Sequence, residues 1–180
     1  NMDVIREVLQ DELGYSVTEK YKAYTRELIR SHQEGKNLVD ADFSHSPGNT
    51  RTALFQHVDG IRFLNHDGGC GGIRQDSAVL GNLLAAYANH PNVGGITLLS
   101  LGCQHLQTSD LMQDIKKVNP GFDKPFFIFE QQRSQSEEQL IAEAIRKTFE
   151  GLITINQFER KPASLDKLCI GVKCGGSDGF

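Results

Sequence analysis

The chain has 180 residues, of which 38% are hydrophobic and 23% charged, with a net charge of -4. That composition belongs to a packed globular domain of ordinary size, not to a disordered chain. It carries no basic stripe to neutralise phosphates, which argues against a nucleic-acid ligand. The longest apolar stretch, Val93 to Leu101, is far shorter than the ~18–20 residues of a membrane helix. No signal-peptide pattern opens the chain, and Asn1 ahead of Met2 reads as the remnant of an engineered start. The four cysteines, Cys70, Cys103, Cys169 and Cys174, include no CxxC pair. A chain of this length folds without disulfides, so reduced thiols in a cytoplasmic protein are expected.

The first third reads as helical. Val4, Ile5, Val8 and Leu9 recur at helical spacing, as do Tyr21, Tyr24, Leu28 and Ile29, and Gly14 separates the two runs. Asp42 to Thr50 is rich in turn formers and reads as a loop. Strand and helix patterns then alternate. Val58–Leu64 is a predicted strand, and Asp76–His90 a helix with Val79, Leu80, Leu83, Leu84 and Tyr87 on its apolar face. Gly94–Gly102 is a second predicted strand, and Ser109–Val118 a helix with Leu111, Met112 and Ile115 inward. Pro125–Glu130 is the third strand. Ser136–Leu152 is a helix opened by a Ser136/Gln139 capping box and buried along Ile141, Ile145 and Phe149. Lys167–Lys173 is the fourth strand, with Cys169 buried in it as a small hydrophobe. Uniformly apolar strands alternating with helices imply an α/β fold. The expected form is a mostly parallel sheet with helices on both faces, a Rossmann-like three-layer arrangement preceded by N-terminal helices.

The chemically unusual residues follow the four predicted strands. His66, Asp67, Cys70 and Arg74 follow the first, and Cys103, Gln104 and His105 the second. Glu130, Gln131 and Arg133 follow the third, and Lys173, Cys174, Ser177 and Asp178 the fourth. Ligands of open parallel sheets bind outside the carboxyl ends of the strands, so this clustering marks a candidate site. Each member has an ordinary alternative: Asp178 could cap a helix, and Lys173 and Arg74 could simply be solvated. His32, His45, His57 and His90 read as ordinary polar residues.

Nucleotide-binding fingerprints are absent, and so is a GxSxG nucleophile elbow. Thiols and imidazoles converging on one edge suit iron or zinc better than magnesium. A Lewis acid helps most where a weakly acidic proton next to a carboxylate must be removed and a hydroxyl must leave, which is a dehydration.

Four blocks carry a resemblance: "LNHDGGCGGIRQD", "HPNVGGITLLSLGCQ", "FIFEQQRSQSEEQ" and "LCIGVKCGGSDGF". Together they resemble the altronate dehydratase/galactarate dehydratase family of sugar-acid hydro-lyases. The resemblance runs from about Val58 to Phe180 in the expected order, and Met2 to Gln33 resembles the family's lead-in segment. It implies a cytoplasmic enzyme of hexuronate breakdown that converts D-altronate to 2-keto-3-deoxy-D-gluconate and water. Galactarate or a related aldarate is the alternative substrate. A divalent metal is implied, Fe2+ ahead of Mn2+, with an iron–sulfur cluster as a lesser option. On this view residues 1–45 are a helical lead-in and 46–180 an α/β domain of a larger enzyme, inactive when isolated. Its partners would be the remaining domains of its own chain, with a homodimer as a further assembly.

Many family members have "GLGCE" where this chain has "SLGCQ", so Gln104 replaces a carboxylate, which favours the altronate branch. The roles assigned within this resemblance are Cys70, Cys103 and Cys174 as metal ligands, with His66 a further candidate. His66, His105 and Asp178 are the catalytic acid–base candidates. Arg74, Gln104, Gln131 and Lys173 are candidates to hold the substrate's carboxylate and hydroxyls. The rival reading is a non-catalytic ligand-binding α/β module whose cysteines are redox-active or nucleophilic.

Overall fold

The computed structural model describes residues 1–40, 43, 52–66, 73–172 and 175. Five α-helices lie among them: α1 (Met2–Glu12), α2 (Glu19–Gln33), α3 (Arg74–Asn89), α4 (Thr108–Val118) and α5 (Glu137–Ile155). Among the described residues the sheet has two strands, β1 (Ile96–Ser100) and β2 (Phe126–Glu130), paired in parallel from Ile96 opposite Phe126 to Ser100 opposite Glu130. Parallel neighbours need a crossover, and α4 supplies it. The domain is therefore mostly helical with a small open sheet. Among the described residues the expected three-layer Rossmann-like sheet does not form.

Two of the four expected strands account for the difference. In Val58–Leu64, the side chains of Val58, Ile61 and Phe63 pack onto a core built by α1 and α5. Their apolarity is satisfied by that packing, and the segment forms no strand ladder. It is tied down instead by isolated contacts: Gln10 Nε2 donates to Ile61 O at 3.2 Å, and His57 N–H donates to Asn156 Oδ1 at 3.0 Å. The Lys167–Lys173 segment begins in a single 3-10 turn (Leu165–Lys167) and continues, as far as it is described, without strand structure. Cys169 is exposed there, not buried.

The two strands sort their side chains between two cores, as a period of two requires. Leu99 and Phe129 face the first core, around Ile5, Leu9, Phe55, Ala144 and Leu152. Ile96, Leu98 and Phe126 face the second, around Ala85, Ala88, Leu111 and Ile115. Ile115 is 0% exposed and is the largest fully buried side chain among the described residues. On α3, Leu84 packs into this second core, whereas Val79, Leu83 and Tyr87, also expected inside, are exposed.

Local signals explain the helix ends. Ser136 Oγ accepts from Gln139 N–H at 3.2 Å, capping α5 one residue after the helix was expected to begin. Lys124 Nζ donates to the carbonyls of Ala88 and His90 at 2.9 and 2.7 Å, satisfying acceptors at the end of α3. Gly151 lets α5 approach the sheet, since a Cβ there would lie 2.9 Å from Phe127 Cε2.

Candidate functional site

β1 ends at Ser100, and the chain turns through residues 101–107 into α4. Gly102 makes the turn with φ +101°, a conformation that side-chain-bearing residues rarely adopt. A Cβ at that position would also stand 3.0 Å from Gln132 Oε1 and 3.1 Å from Glu130 Oε1. The exits of β1 and β2 are thus pressed together. Glu130 Oε1 in turn pairs with Arg133 Nε at 2.8 Å.

Beside the β1 exit lies a cavity of about 260 Å³, lined by His66, Ile73, the first three turns of α3, the first turn of α4, the β1 end and the β1–α4 loop. His66, Ser77, Ser100, Gln104, His105 and Thr108 are among its lining residues. Three of the sequence-predicted site residues, His66, Gln104 and His105, therefore meet at one cavity although 38 positions or more separate His66 from the other two.

The β1–α4 loop is internally bonded. Gln104 Nε2 donates to Ser100 Oγ at 2.5 Å, and Gln104 Oε1 accepts from Gly102 N–H at 2.8 Å. Gln107 Nε2 donates to the Gln104 carbonyl at 2.5 Å. Helix α4 begins after Gln107 with no side-chain cap, so its first N–H groups lie at the cavity's edge without a capping side chain. At α3 the carboxylate of Asp76 accepts from Ile73 N–H at 3.3 Å, which occupies one donor of that helix start.

The remaining predicted residues are distributed as follows. Arg74 is the first residue of α3, exposed, next to the lining residue Ile73. Gln131 is exposed in the 3-10 turn (Gln131–Arg133) that follows β2, and Cys103 is exposed in the β1–α4 loop. Cys70, Lys173, Cys174 and Asp178 lie outside the described residues. Among the described residues no three His, Cys, Asp or Glu side chains are grouped closely enough to hold a metal ion. These residues alone therefore do not fit an iron centre. Sequence reasoning missed Ser77, Ser100 and Thr108 as lining residues. Ser100 could have been noticed as the polar end of an otherwise apolar strand.

With this geometry in view, comparison with known proteins gives a consistent result. Residues 5–156 match the family described as D-galactarate dehydratase/Altronate hydrolase, second domain, and the chain belongs to that family. An altronate dehydratase of Bacillus subtilis (strain 168) is 31% identical over 122 residues, covering 68% of this chain and 23% of the relative. An altronate dehydratase of Escherichia coli (strain K12) is 27% identical over 123 residues, covering 68% of this chain and 24% of the relative. The chain thus spans about a quarter of the length of these curated relatives. No solved structure matches it. No helix among the described residues is long and apolar enough to cross a membrane.

Proposed function

We propose that the chain contributes its β1-exit cavity to the dehydration of a sugar acid, with altronate favoured over galactarate. The observation that carries this reading is the meeting of His66 and His105 at one cavity beside the uncapped start of α4. Family membership and the altronate dehydratase names of both relatives support it. A helix start favours negative charge, and a substrate carboxylate suits that position. Arg74 at the start of α3 adds positive charge near the same cavity.

In the reaction, one imidazole removes the proton from the carbon next to the carboxylate. The bond between the adjacent carbon and its hydroxyl breaks, and the second imidazole, protonated, delivers a proton so that water departs. The resulting enol gains a proton at the carbon that lost its hydroxyl and releases one from its own hydroxyl, becoming the 2-keto-3-deoxy acid. Ser77 and Thr108 offer hydroxyls for the substrate's own hydroxyl groups. Gln131 and Lys173 are further candidates for substrate contact, and Asp178 a further acid–base candidate. Iron, when bound, would stabilise charge developing on the carboxylate. Its proposed ligands are Cys103 together with Cys70 and Cys174.

Incubation of the intact protein with altronate or galactarate, with and without added ferrous iron, tests the reading. Formation of a 2-keto-3-deoxy acid that falls sharply in His105→Ala is expected. No turnover of either acid under any of these conditions would overturn it.

A further inference from the structure

We infer that Gln104 is a positioning residue that clamps the β1–α4 loop and thereby holds His105 at the cavity. The inference rests on the proposed acid–base role of His105. Ser100 is only 7% exposed at the end of β1, so its hydroxyl needs a protein partner, and Gln104 Nε2 supplies one at 2.5 Å. The same side chain receives Gly102 N–H at 2.8 Å, just where the chain passes through its left-handed turn. Its backbone carbonyl takes Gln107 Nε2 at 2.5 Å, at the residue before α4 begins. One residue therefore ties the strand end, the turn and the helix start together. His105 is its immediate neighbour, inside the closed segment.

A leucine at this position keeps the bulk and loses both side-chain bonds. A glutamate keeps both, because its carboxylate accepts from Gly102 N–H and from the Ser100 hydroxyl. In the intact protein, Gln104→Leu is expected to lower kcat about 10–100-fold through misplacement of His105. KM stays near the parent value, and the imidazole NMR signals of His105 move or broaden. Gln104→Glu is expected to restore the His105 signals and most of the rate. Ser100→Ala removes the same bond from the other end, so adding it to Gln104→Leu costs little more, as for two members of one interaction.

Two results would overturn the inference. One is a Gln104→Leu protein that raises KM at unchanged kcat, which would make Gln104 a direct substrate contact. The other is a His105 spectrum identical to the parent's. Should Gln104→Leu fail to fold, Ser100→Ala is read by the same criteria. The NMR comparison needs no turnover. A parent protein without dehydratase activity would therefore sink the proposed function, while the His105 signals would still decide the clamp.

Discussion

Ile96–Ser100 and Leu168–Val172 are five-residue runs of nearly equal apolarity, yet only the first is a strand. Ile96–Ser100 has Phe126–Glu130 as a ladder partner and cores on both sides of its side chains. Leu168–Val172 is without strand structure, with Ile170 72% and Val172 91% exposed. An apolar run states that burial is favourable. Whether it becomes a strand depends on a second run that can reach it, and α4 provides that reach for β1 alone.

The comparison breaks most directly at Ile115, whose side chain fills the core beneath β1. Ile115→Ala is expected to destabilise the fold by about 2–5 kcal/mol, through lost burial plus the cavity left behind. Ile170→Ala is expected to change stability by less than about 0.5 kcal/mol. Urea denaturation of both variants checks the pair, and equal effects would show that the two runs are buried alike. Amide hydrogen exchange sharpens the same contrast, with protection at Ile96–Ser100 and rapid exchange at Leu168–Val172.

A smaller effect is expected at the β1 exit. Gly102→Ala forces a side chain into a left-handed turn and against Glu130 and Gln132, costing about 1–3 kcal/mol. Its denaturation midpoint should fall by more than that of an alanine placed at exposed Gly171, around which a Cβ meets nothing within 4 Å. Next is Ser136→Ala, which removes the α5 cap and should cost about 1 kcal/mol in the same measurement.

The smallest effect concerns the tether between the 52–66 segment and the chain beyond α5. The Arg160 guanidinium beside Asp59, hydrogen-bonded first and acting by charge second, holds that carboxyl below its usual range. The folded state therefore binds this proton less readily than the unfolded one. The resulting stabilisation is fully present above about pH 4 and is lost as pH falls through the depressed value. Both side chains are 74% exposed, so the contribution is slight and salt should erase it. Asp59→Asn should flatten the acid limb of a stability-versus-pH curve by a small, salt-sensitive amount.

Much of the second half was legible in sequence. The Ser136 cap, the β1 and β2 runs and the inward Leu111 and Ile115 all follow from periodicity and capping chemistry. The strand count was not, because apolar side chains in Val58–Leu64 are satisfied by packing on α1 and α5 with no ladder at all. At the site, His66 and His105 could be paired because both were assigned to strand exits. The first of those strands does not form, yet the segment still delivers His66 to the cavity. Gln104 was legible as unusual, but its ties to Ser100 and Gly102 depend on a turn geometry that only the fold reveals.

The central claim is that a sugar acid occupies the cavity between His66 and His105. The most direct test follows the imidazole NMR signals of the intact protein as altronate is added. The account predicts that the His66 and His105 signals move together and saturably, while those of His32 and His90 stay in place. Unchanged His66 and His105 signals, or equal movement of all four, would contradict it.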